Sequence, residues 1–138
     1  MAEAARNAGV ITADEFAVFQ NAGYMGLYGG MTVDDIHRKK NLEVGQKILD
    51  YMGSTELIAN LFRISQTEEK LRKDGVDSAD TATAVHYKVG SEVREAIEKI
   101  GGTMPEDLPT PEKSIAQLEK EQLQRLKQQA LDGQLMLD

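Results

Sequence analysis

Ala82, Val85, Val89, Val93, Ala96, Ile97 and Ile100 recur at helical spacing. At 100° per residue they fall within an arc of about 120°. A stripe that long and that narrow commits the chain to burying one side of a helix of about 20 residues against something else. No segment shows the apolar–polar alternation that would supply a sheet as the cover, so the cover must be other helices.

Those helices can be read from their ends. Thr12-Ala-Asp-Glu15 is a capping box that opens a helix carrying Phe16, Phe19, Gly23 and Leu27 on one face, closed by Gly29-Gly30. Residues 2–8 have the composition of a helix that began further upstream, with Gly9 as its C′ residue. Thr32 caps a short helix over 33–40, and a second short helix is expected over 42–51. Ser54 is expected to cap a longer helix to Lys73, with Leu57, Leu61, Ile64 and Leu71 facing inward. All three prolines fall within Gly101–Pro111, which therefore reads as an extended strap. Helix resumes near Glu112 with Ile115, Leu118, Leu123 and Leu126. The expected fold is all-α, a single helical domain of about six helices. It divides into a helical domain over 1–100, the strap over 101–111, and an amphipathic helix with its tail over 112–138.

The chemistry that this sequence excludes is extensive. There is no Cys, so thiolate catalysis, zinc fingers and disulfides are absent. The longest apolar runs are a few residues, too short for a membrane helix, and no leader is visible, so a cytoplasmic setting without membrane contact is expected. A net charge of −7 disfavours general polyanion binding, and 5% aromatic residues with no Trp disfavour base-stacking platforms. No Gly-x-Ser-x-Gly elbow, His-Glu-x-x-His helix or EF-hand loop occurs. Glu68-Glu69-Lys70 contains the Glu-x-Lys pattern of metal-dependent nucleases, yet it falls on a helix where i,i+4 pairing accounts for it. No enzymatic activity, cofactor or metal is expected. Gly23-Tyr-Met-Gly26 lacks the Lys-Ser/Thr ending of a phosphate loop and reads as a close helix contact. His86 sits inside the long stripe and reads as a satisfied core histidine.

Two features remain as candidate contact sites. The helix pair over 33–51 has the outline of a helix-turn-helix, with Arg38, Lys39 and Lys40 as phosphate or partner contacts and Gln46 and Lys47 facing a groove. The stripe Ile115, Leu118, Leu123 and Leu126 suits a partner or a second copy of the chain.

Several long stretches together resemble one family. They are Phe19–Gly30, Ile48–Leu57, Asn60–Arg63, Gln66–Leu71, His86–Gly90 and Gly101–Pro111, and they are similar to the C-terminal half of the bacterial DNA-damage-inducible protein D family. That family's N-terminal half resembles the BRO-type domains of phage antirepressors, which are associated with DNA binding, and no counterpart of it is found in this sequence. The resemblance implies a regulatory or interaction module of an SOS damage-response protein, binding a protein or nucleoprotein partner of recombination or repair. Direct DNA binding through residues 33–51 is the alternative. The family supplies no catalytic residues. The tail Gln134-Leu135-Met-Leu137-Asp138 also resembles the peptide that docks on the bacterial sliding clamp, with Asp138 where that peptide has an aromatic anchor.

Overall fold

A computed structural model describes the backbone of residues 1–137 and the side chains of residues 1–133. The described residues form six α-helices and no strand: α1 (Ala2–Asn7), α2 (Ala13–Leu27), α3 (Val33–Lys39), α4 (Ser54–Lys73), α5 (Ala79–Ile100) and α6 (Ile115–Leu137). Short 3₁₀ turns lie at Ile48–Tyr51 and Pro105–Asp107. The all-α expectation holds.

The helix starts follow the local sequence. Thr12 Oγ1 accepts from the Glu15 amide at 3.1 Å while the Glu15 carboxylate accepts from the Thr12 amide at 3.0 Å. Thr32 and Asp35 make the same reciprocal pair at the start of α3. Ser114 and Gln117 repeat it ahead of α6, which places that start two or three residues later than composition suggested. Each pair satisfies two amides that have no partner within the helix. α1 and α4 lack a side-chain cap: Met1 precedes α1, and Gly53 occupies the cap position of α4, with Ser54 as its first residue.

α2 and α5 cross with their backbones in contact. A Cβ on Gly26 would lie 2.3 Å from the Tyr87 carbonyl oxygen, and one on Gly90 would lie 2.6 Å from that of Gly23. These glycines forgo helix propensity so that the axes can approach this closely. Two apolar clusters flank the crossing. One gathers Tyr24, Leu27, Tyr28, Ile36, Ile48, Met52 and Val93; the other gathers Ala5, Ala8, Val10, Phe19, Leu71 and Ala82.

Two expectations need correction. Residues 42–51 do not form a second helix; only Ile48–Tyr51 closes a 3₁₀ turn. Asn41 and Gly45 both adopt positive φ, at 55° and 88°. His37 Nε2 donates to the carbonyls of Glu43 and Gln46, at 3.1 and 3.0 Å. Gln46 Oε1 accepts from the Glu43 amide at 2.7 Å. Side chains therefore take the backbone groups that helix would have used. The helix-turn-helix outline at 33–51 is lost with that helix.

The second correction concerns α4. Its buried face consists of Glu56, Asn60, Arg63, Thr67 and Leu71, spaced i, i+4, i+7, i+11 and i+15. Leu61 is exposed, as are Ile58 and Phe62. Leu71 is buried and Leu57 packs partly against the core as expected, with Ile64 half-covered, but polar residues fill most of the inward face and Leu61 lies outside it.

Residues 101–111 do run as a strap, broken only by the Pro105–Asp107 turn. Arg94 of α5 holds it with a two-pronged bond to Glu106 at 2.7 and 2.8 Å and donates to the Leu27 carbonyl at 3.1 Å. α6 meets the body near its start, against the Ile48–Tyr51 turn, and every described residue from Gln122 to Gly133 is exposed.

Candidate functional site

Six polar side chains on or beside four elements form a ladder through the middle of the molecule. It begins at Lys40, just past α3, whose ammonium donates to Glu56 at 2.6 Å and to the Tyr51 carbonyl at 3.1 Å. Glu56, on the first turn of α4, also accepts a hydrogen bond from the Tyr28 hydroxyl. One turn on, Asn60 donates to the Tyr28 oxygen at 2.9 Å and accepts from Arg63 at 3.0 Å. Arg63 donates to His86 Nε2 on α5 at 2.5 Å, and its guanidinium stands 4.5 Å over the Tyr24 ring. His86 Nδ1 donates to the Phe19 carbonyl at 2.8 Å, which closes the ladder on α2.

Glu56, Asn60, Arg63 and His86 are all at least 98% buried. Burial shifts the ionisation of several groups along the ladder. Loss of water, and then the charge of Arg63, push the His86 imidazole down to about 3, so it accepts from Arg63 as the neutral Nδ1–H tautomer. Burial pushes the Tyr28 phenol strongly up, and the carboxylate of Glu56 adds to the effect. Burial also raises the Tyr24 phenol and lowers Arg63 from its ordinary value. Only Arg63 Nε lacks a partner among the buried side-chain atoms described. The ladder fixes the rotation of α4 and holds it to α2, α3 and α5. At one end Tyr28, Lys40 and Glu56 line a cavity.

A cavity of about 300 Å³ opens above the Lys40 end, roofed by the strap and bounded by Met31, Ile36, Lys39, Pro105 and Leu108. Its charged groups are already matched within the chain: Lys40 with Glu56, Lys39 with Asp107 at 3.4 Å, and Glu106 with Arg94. Among the described residues no group of three or more His, Asp or Glu side chains could hold a metal ion.

The sequence-derived candidates scatter across this arrangement. Arg38 is exposed and bonded to Asp35 at 2.6 Å, and Lys39 is tied to the strap. Lys40 is withdrawn into the ladder with its side chain 5% exposed, so it is not on the surface where a phosphate would be met. Gln46 is spent on the turn and on the Tyr51 hydroxyl at 2.9 Å. Lys47 stays exposed. Ile115 is partly covered, while Leu118, Leu123 and Leu126 are exposed on α6. The candidate tail peptide, Gln134, Leu135 and Leu137, lies outside the residues whose side chains are described. Glu56, Asn60 and Arg63 were missed because a polar residue with an internal partner has the same sequence signature as a solvated one.

A helix crossing on small residues, a buried polar ladder and exposed apolar side chains together define a helical domain built around one close α2–α5 contact. The chain belongs to the DinD C-terminal domain family, whose model matches residues 1–118. It is 60% identical over 119 residues to DNA damage-inducible protein D of Escherichia coli (strain K12), an alignment that covers 86% of this chain and 43% of that protein. The chain thus spans less than half the length of that relative. No solved structure matches the chain. No helix among the described residues is long and apolar enough to cross a membrane.

Proposed function

We propose that this domain is a regulatory interaction module of a damage-response protein, and that it binds a protein or nucleoprotein partner of recombination or repair. The damage-response setting follows from the family. The observation that supports an interaction role is the inverted α4, where Glu56, Asn60 and Arg63 are buried while Ile58, Leu61 and Phe62 are exposed on the outer face. Three large apolar side chains clustered in solvent, on a helix with polar residues to spare, fit a surface that another macromolecule covers. Direct DNA contact through residues 33–51 has less support, since Lys40 is buried and Arg38 and Lys39 are each matched by a carboxylate.

The test is capture from damaged bacterial cells with and without nuclease, comparing the wild-type chain with an Ile58→Lys, Leu61→Glu double variant. A partner that survives nuclease and is lost with the variant supports the reading. A partner captured equally by both chains overturns it.

A further inference from the structure

α4 and α5 leave a groove of about 590 Å³ on the side away from α2, floored by Phe62, Val85, Val89, Val93 and Ala96. The same chain carries an unpartnered apolar stripe on α6, and we propose that the groove receives α6 of a second copy, reciprocally, to make a dimer.

Charge fixes both the occupant and its direction. Of the charged residues lining the groove, Lys70 and Asp74 pair with each other at 2.9 Å. The rest are Lys73 and Lys88 toward one end, and Glu69 and Glu92 about one turn inward. None of these four makes an ion pair among the described residues. On α6, Glu119 lies inside the stripe at 100° per residue, between Leu118 and Leu123 and one heptad before Leu126. Arg125 and Lys127 follow on the two flanks. These three are likewise free of ion pairs among the described residues. The groove therefore reads cation then anion, and α6 reads anion then cation. The steps are about 6 Å along the groove and about 9–12 Å along α6, a difference that Arg and Lys side chains span. With Glu119 between Lys73 and Lys88, Leu123, Leu126 and Ala130 run toward Val89, Phe62 and Ala96.

The match requires α6 to run antiparallel to α4. In its own chain α6 starts beside the Ile48–Tyr51 turn, at the N-terminal end of α4. Folding back along the groove from there would put Glu119 at the Phe62 end, some 22 Å short of Lys73. A second copy has no such constraint. Area gives the same answer. One face of a 17-residue helix covers roughly 300 Å², so reciprocal docking buries on the order of 1,200 Å² over four faces, at the threshold of a stable interface, whereas two α6 helices zipped together bury half that.

The groove shares Phe62 with the proposed partner surface, but Ile58 and Leu61, the two positions varied in the partner test, lie outside it, so the two tests stay separate. Light scattering of the full 138-residue chain over a concentration series tests it, with Glu119→Lys, with the Lys73→Glu, Lys88→Glu pair, and with all three combined. The wild-type chain is expected to reach the mass of two copies. Either set alone weakens the dimer by about tenfold or more, and the combination recovers to within about threefold of wild type. A wild-type chain that stays monomeric, as it would with α6 docked on its own groove, overturns the proposal. So does a dimer that the groove pair leaves unchanged, as α6 zipping to α6 would give, or a combined variant that recovers nothing.

Discussion

Glu56 holds two buried groups in place, the Lys40 ammonium and the Tyr28 hydroxyl. Glu56→Ala is expected to cost about 3–5 kcal/mol, since it strands a cation that has little access to water. Urea denaturation would measure it, and a loss under 1 kcal/mol would mean that Lys40 finds water on its own. His86 gives a pH signature. Its folded pKa is depressed to about 3 against an ordinary value of 6.5, so the unfolded chain binds the proton first as pH falls. Its contribution to stability is therefore complete above pH 6.5 and is lost on the way down to pH 3, at about 1.4 kcal/mol per pH unit. The His86 ring resonances in NMR should stay in the neutral form to pH 4; titration near 6.5 would show that the imidazole is not sealed. The place of His86 was legible in the sequence because it interrupts a long apolar stripe. Its ladder partners were not, because Asn60 and Arg63 resemble any exposed pair until the residues 23–32 positions away, Tyr28 and His86, are known to face them.

Individual helices were legible to the degree that local sequence decides them. α2, α3 and α5 carry their caps within three residues of their starts, and their spans follow. A close helix contact on α2 was also legible, though not that α5 makes it, because Gly23 and Gly26 share a face with Phe16 and Phe19 where propensity alone would disfavour them. Gly26→Ala or Gly90→Ala should destabilise the fold by 2 kcal/mol or more, an order-of-magnitude figure for overpacking, because the new methyl meets backbone that cannot move aside. Gly133→Ala meets nothing within 4 Å and should leave the melting temperature unchanged or slightly raised. Melts of the three variants by circular dichroism would check the contrast; equal effects would show that the crossing is looser than its geometry. What could not be read was the segment after α3. The side chains of His37 and Gln46 decide it by capturing carbonyls and an amide across six to nine residues, outside any helical period. α4 misled for a related reason. Both of its faces carry regular spacing, and which one turns inward is set by Tyr28, Lys40 and His86 on other elements.

The whole molecule separates into a body that closes on itself and a helix that does not. Both apolar clusters, the ladder and the Arg94–Glu106 clasp lie within residues 1–111. Among the described residues beyond the strap, only Ser114, Ile115 and Glu121 have even partial cover, and the family match ends at residue 118. An isolated helix of this length gains little from its own hydrogen bonds, so among the described residues α6 adds stability to the body chiefly where it meets the Ile48–Tyr51 turn. Removing residues 112–138 should therefore leave a cooperative unfolding transition, with the loss confined to about 1 kcal/mol, or a few degrees in melting temperature, when compared at concentrations where the full chain is monomeric. At higher concentration the comparison changes. The full chain gains apparent stability by mass action through the dimer, and the shortened chain does not, so only the full chain's melting temperature should rise with concentration. Calorimetry of both chains over a hundredfold concentration range separates the cases. A shortened chain with no cooperative transition would place α6 inside the folding unit and reverse the division drawn between body and helix.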